Sequence, residues 1–199
     1  MLTLATALLQ KIEALLNKMP LYLHALLSLL IYILTRLSNI VLDNSYAASQ
    51  YPVAFYVGQL SFNGETLRGY YHYMLEQGTL GIYWRTQYID FVFILATFLS
   101  GIIISLWLAR LHKKPGFLYR SSLLAAIALP LGALLDASEN LVSFVMLGQI
   151  ESFPDWLAVV YSSLALLKFL AMFFAYILWC ISLLGFGLGQ FKRLWRSRG

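Results

Sequence analysis

Arg36, Asp90, Asp136, Glu139 and Lys168 are ionisable residues set inside stretches that are otherwise apolar enough to cross a bilayer. Moving one such group into hydrocarbon costs about 2.5 to 3.5 kcal/mol on insertion scales, so a charge retained there faces a bundle interior, meets a partner or marks a functional path. Residues three or four apart share one face of a helix. That spacing puts Asp136, Glu139, Asn140 and Ser143 on one polar stripe and Arg36, Asn39 and Asp43 on another. The two stripes are expected to face each other. Asp136 and Lys168 fall at matching depths of neighbouring antiparallel segments and are expected to meet. Glu139, one turn farther along, is expected to reach Arg36, and Asp90 opens a further segment. A carboxylate that is desolvated, or close to a second acid, becomes a proton acceptor suited to general acid–base work.

The elements that position these residues follow from composition. Hydrophobic residues make up 60% of the chain and charged residues only 12%, with a mean hydropathy of +0.73. A soluble domain has roughly 45 to 50% apolar and about 25% charged residues, so the chain reads as an all-α integral membrane protein. Four stretches reach the length needed to span about 30 Å of hydrocarbon: residues 21–42, 88–111, 121–147 and 156–187. Pro130 followed by Gly132 predicts a kink in the third. Residues 1–18 alternate Leu4, Leu8, Ile12 and Leu15 with Gln10, Lys11, Glu13 and Asn17, the pattern of an amphipathic helix lying in the membrane interface. The order of basic region, short apolar core and cleavage site that marks a signal peptide does not appear. The 199 residues suffice for one four-helix transmembrane domain and one long loop, 43–87.

Orientation follows from where Lys and Arg fall. Lys11 and Lys18 precede the first span, Arg110, Lys113, Lys114 and Arg120 fill the connection between the second and third, and Lys192, Arg193, Arg196 and Arg198 follow the fourth. The positive-inside rule therefore puts both termini in the cytoplasm, with 43–87 and the acidic turn 148–155 outside. The pI near 9.3 reflects this topology. The basic tail has no accompanying nucleic-acid-binding motif, so anionic lipid rather than nucleic acid is its expected contact. Compact loops, the missing signal and the absence of N-x-[ST] acceptors fit a bacterial inner membrane.

The loop 43–87 is rich in aromatic residues, among them Tyr46, Tyr51, Phe55, Tyr70, Tyr71, Tyr83 and Trp84. Two readings stand: a belt at headgroup level, or a lid over a cavity. Asn63 is positioned to cap a helix that runs through Met74 and Leu75 and stops at Gly78. The run Asp136-Ala137-Ser138-Glu139-Asn140 reads D-x-x-E-N and resembles a motif of small four-span bacterial membrane proteins of unassigned role. In those proteins an aspartate also opens the second span, as Asp90 does here, and a lysine sits in the last span, as Lys168 does here. The resemblance covers the second to fourth spans and implies the four-span fold, not an activity.

Other chemistry lacks support. His24, His72 and His112 lie in separate parts of the chain, and no H-E-x-x-H, C-x-x-C or G-x-x-x-x-G-K-[ST] run occurs. Cys180 is the single cysteine and forms no intrachain disulfide. Gly185, Gly187 and Gly189 suit close helix packing better than a nucleotide loop, and the Ser162–Ser163 pair has no histidine nearby in sequence. No metal or cofactor is expected.

The first function class that remains is a protein binding or translocating a small amphiphile, a lipid headgroup or a proton, with Asp136 and Glu139 as acceptors and Lys168 and Arg36 as counter-charges. A membrane-embedded lipid-modifying enzyme using a buried carboxylate is the second. An assembly subunit held by a charge clasp is the third. Membrane lipid is the expected partner throughout, and a homo-oligomer is expected if transport occurs. Reporter fusions after Gly199 and within 63–78 are predicted to report opposite compartments; finding both on one side would remove the four-span topology.

Overall fold

The computed structural model describes residues 2–197, with side chains from residue 7 onward. The described chain is all helical: α1 (Leu2–Leu16), α2 (Leu21–Ala48), α3 (Phe55–Gln59), α4 (Gly64–Glu76), α5 (Leu80–Arg110), α6 (Phe117–Gly148) and α7 (Asp155–Arg196). Four of these, α2, α5, α6 and α7, are long and apolar enough to cross a membrane, which is what an integral membrane protein requires. Each runs beyond the stretch that hydropathy marks. The segment 43–87 is therefore not an open loop. Its first residues extend α2, its last ones begin α5, and α3 and α4 fill most of what lies between.

The sequence signals for α4 correspond to its ends. Asn63, extended at φ −132° and ψ 118°, accepts from the Thr66 N–H at 2.8 Å, which satisfies one of the free donors of the first turn. At the other end Gly78 takes φ +70°. The Thr79 N–H reaches Met74 O at 2.8 Å and the Gly78 N–H reaches Leu75 O at 3.1 Å, the paired closure of a Schellman turn that favours glycine at the left-handed position.

The chain forms two compact units. The first comprises α1, residues up to Ile33, Leu99 to Pro130, and Met172 onward. Its helices meet through small residues: Ala125, Ala128 and Ala175 pack with Leu129 and Leu178, as close approach of helices in lipid requires. Gly101 faces Pro130 and Leu129 so closely that an added Cβ would lie 2.6 Å from Pro130 Cδ. α1 packs Leu16 against Leu106 and Ala126, with Leu9 and Ile12 alongside. Glu13, read from sequence as part of a polar face, instead turns inward, where Lys114 and the Tyr119 hydroxyl hold its carboxylate. That contact raises Lys114 above the ordinary lysine value. Arg110 closes the turn after α1 by donating to Leu16 O at 3.0 Å and Met19 O at 2.9 Å. His112 shares a hydrogen bond with Ser182 at 2.8 Å, and Ser182 another with Ser122 at 2.9 Å; burial lowers His112 below the usual histidine value.

The second unit comprises Leu34 to Phe98 and Leu131 to Ala171. Its core is more aromatic. Tyr71, Tyr83, Tyr161 and Phe153 pack with Leu67, Met74, Met146, Leu147, Leu157 and Ala158. Tyr51 stacks on Tyr83 at 5.2 Å between ring centroids, and Tyr71 lies edge-on to Phe153 at 6.3 Å, separations at which aromatic pairs attract. Arg68 of α4 donates to Phe153 O at 3.0 Å and pairs with Asp155 at 2.8 Å, which ties α4 to the start of α7.

Gly101→Ala should overpack the contact with Pro130 and destabilise the protein by about 1 to 3 kcal/mol. Unfolding in mild detergent with a graded denaturant checks this. A variant as stable as the parent would show that the helices separate freely at that point.

Candidate functional site

The buried charges of the second unit come from three helices. On α6 the residues Asp136, Glu139, Asn140, Ser143, Met146 and Leu147 are all buried, while Leu134, Leu141 and Val145 are exposed. The D-x-x-E-N run therefore lies on an inward stripe at steps of three and four. α7 turns Ala158, Tyr161, Ala165 and Lys168 inward by the same spacing, and Asp90 is buried on α5.

Lys168 is the hub. Its ammonium donates to Asp136 Oδ1 at 2.7 Å and lies 2.5 Å from Glu139 Oε2, with side-chain exposures of 4%, 5% and 0% for Lys168, Asp136 and Glu139. Asn140 donates its amide to Asp90 Oδ2 at 2.9 Å. Glu139 is the least satisfied member. Its contact with Lys168 is an ion pair without hydrogen-bond alignment, and Oε1 meets no donor among the described residues. Next to it Ser143 Oγ and Tyr71 Oη are also buried without a hydrogen bond of normal geometry, although the hydroxyls of Tyr71 and Tyr83 both turn toward Ser143, and Tyr83 also toward Tyr161. Burial pushes the Tyr71 hydroxyl well above the ordinary tyrosine value, so it stays a neutral group able to donate and accept.

Five of the six residues singled out by sequence, Asp90, Asp136, Glu139, Asn140 and Lys168, are thus brought into one buried group. Arg36 is not. It is exposed on α2, as is Asp43, whose carboxylate takes a hydrogen bond from Asn39 at 2.5 Å. The α2 stripe therefore does not face the α6 stripe, and Glu139 pairs with Lys168 instead of Arg36. The physical reason is reach: one lysine lies between Asp136 and Glu139, a turn apart on α6, and serves both. The tyrosines beside Glu139 were not placed there by sequence reasoning. Tyr161 carried a signal, since it lies two turns before Lys168 on the same face of α7. Tyr71 and Tyr83 carried none, because their approach depends on how α4 packs. Among the described residues no group of His, Cys, Asp or Glu is arranged to hold a metal ion.

Fold and site together define an all-helical protein with four membrane-length helices and a buried cluster of three acids and one base. Comparison with models of protein families, with curated proteins and with solved structures finds no match to the chain.

Lys168→Met should cost about 3 to 5 kcal/mol, because it leaves buried acids without their cation. Adding Asp136→Leu should recover part of that loss, giving a coupling energy of about 0.5 to 3 kcal/mol. A double-mutant cycle of detergent melts measures it, and strictly additive losses would contradict the contact.

Proposed function

We propose that this protein is a four-span membrane protein that binds protons at the Asp90–Asp136–Glu139–Lys168 cluster and passes them on. The observation that carries the reading is the charge count: three buried acids stand against one buried base. Fully ionised, the group would hold uncompensated negative charge away from water, which costs several kcal/mol per ion. Protons relieve that imbalance without needing room for a larger ligand.

Glu139 is the member best suited to exchange them. Asp136 is held by Lys168 and Asp90 by Asn140, whereas Glu139 Oε1 meets no donor among the described residues. The hydroxyls of Ser143, Tyr71, Tyr83 and Tyr161 lead away from it, and each such group both gives and accepts a proton. Intramembrane acids such as these are the ordinary material of proton relays. The distribution of Lys and Arg supports cytoplasmic termini, and the compact connections support a bacterial inner membrane.

A second reading is favoured by the tyrosines. The cationic headgroup of a small amphiphile would neutralise the same surplus, and tyrosine faces attract cations. The two separate in proteoliposomes of purely anionic lipid, which contain no amphiphile with a cationic headgroup. With an internal pH dye and an imposed membrane potential, the parent should carry protons and Glu139→Gln, which keeps the shape, should slow the flux by about 100-fold. A parent that carries no protons under potential would overturn the translocation reading. Equal flux in parent and variant would remove Glu139 from the path.

A further inference from the structure

The charges of the chain are divided unevenly between its two units. Ten of the fourteen Lys and Arg residues fall within the segments of the first unit, but only one of the nine acids, Glu13, does. That acid is already engaged: Lys114 pairs with it, and the Tyr119 hydroxyl lies 3.0 and 3.1 Å from its two oxygens. Arg120, in the first turn of α6, is exposed, and its guanidinium makes no ion pair or hydrogen bond among the described residues. It lines a groove of about 240 Å³ between α1 and α6. Leu9 and Gln10 of α1 and Leu123, Leu124 and Ile127 of α6 form most of the remaining wall, with Glu13 beside them. Arg120, Leu123, Leu124 and Ile127 follow at steps of three, one and three, so they share one face of α6. From the arginine to the isoleucine the helix rises about 10.5 Å. That face therefore leads from an unpaired cation at the start of the helix to aliphatic side chains farther along it.

We propose that this groove binds an anionic phospholipid, with the headgroup phosphate on Arg120 and one acyl chain laid along Leu123, Leu124 and Ile127. Charge and direction together select this ligand. A guanidinium presents two parallel N–H donors that match two phosphate oxygens. A headgroup without net negative charge would leave the surplus of bases uncompensated. The one carboxylate in the groove is already held by Lys114 and Tyr119, so it neither captures an amine nor opposes a phosphate as a bare charge. The direction is that of a lipid in a bilayer: headgroup at the start of a membrane-length helix, chain along the apolar side chains that follow. A free phosphate or a nucleotide would use Arg120 and leave the leucines and the isoleucine uncovered. The groove is smaller than the roughly 300 to 1,000 Å³ that encloses a drug-sized ligand, so it takes one chain and leaves the rest of the lipid in the bilayer. Basic pockets between helices on the cytoplasmic side bind anionic headgroups, and that is the side on which the Lys and Arg bias is expected to place the start of α6.

The full chain in phosphatidylcholine nanodiscs, doped with phosphatidylglycerol that carries a photoreactive diazirine in one acyl chain, tests this. Mass spectrometry locates the labelled peptides. Labelling should concentrate on the α1 and α6 peptides of the groove and exceed that from phosphatidylcholine bearing the same diazirine by at least about 10-fold, as a charge-assisted contact gives. This comparison needs no variant. Arg120→Gln should lower groove labelling by about 10-fold, and Leu124→Trp, which fills the groove and keeps every charge, should lower it as well. Lys113→Gln, at an exposed position outside the groove, should leave it unchanged. Detergent melts equal to the parent's establish that the variants are folded. Equal labelling by the two lipids, or groove peptides labelled no more than other lipid-facing ones, would overturn the proposal. So would equal losses in Arg120→Gln and Lys113→Gln, the mark of diffuse attraction to the basic end of the unit, or full labelling in Leu124→Trp.

Discussion

Taking a carboxylate out of water costs more than most single contacts return, and that cost organises the second unit of this chain. Asp136 and Glu139 are tolerable inside a helix bundle because Lys168 sits between them, and Asp90 because Asn140 donates to it. Replacing such a set with apolar residues of similar volume is often neutral or stabilising, and hydrogen bonds within membranes average only about 0.6 kcal/mol. Packing alone is therefore a poor reason to keep three acids there. The alanines and Gly101 of the first unit bring its helices together without buried acids at the contact.

Glu139 occupies the point where the electrostatic and aromatic parts of the second unit meet. On one side is the lysine. On the other are Ser143 and the hydroxyl-bearing rings of Tyr71, Tyr83 and Tyr161, packed in one core cluster with Phe153. Under the proposed reading the incompletely satisfied oxygens of Glu139 leave it able to take a proton, since an atom already held by two strong donors has little use for a third. The same economy explains why α4 is fastened at several points: Asn63 at its start, Gly78 at its end, and Arg68 to Phe153 and Asp155. α4 delivers Tyr71, and a loose α4 would deliver it badly.

The membrane helices were legible in the sequence because hydropathy over twenty residues is a strong, additive signal. So was the inward stripe from Asp136 to Ser143, since helical spacing alone decides which residues share a face. What spacing does not decide is which way a stripe points. Arg36, Asn39 and Asp43 have the same periodicity as the α6 stripe, yet they face outward, because the orientation of α2 is set by neighbours distant in sequence. The segment 43–87 read as a loop for a related reason. Its polar residues lower the local hydropathy, although cap and stop signals at Asn63 and Gly78 already marked a helix inside it. Glu13 differs for the same reason: of the polar residues that periodicity groups on α1, Gln10, Lys11 and Asn17 are exposed and Glu13 alone is buried, where Lys114 and Tyr119 meet it.

The central claim is that the cluster of three acids and one lysine holds protons when the protein is at rest at neutral pH. Infrared difference spectroscopy of the membrane-reconstituted chain reads this directly, because a protonated carboxylic acid has a carbonyl band of its own that shifts on exchange into heavy water. The account predicts such a band at neutral pH in the parent, slow to shift because the acids are buried, and diminished in Glu139→Gln. A spectrum showing every carboxyl group ionised at neutral pH, unchanged by the substitution, would contradict it.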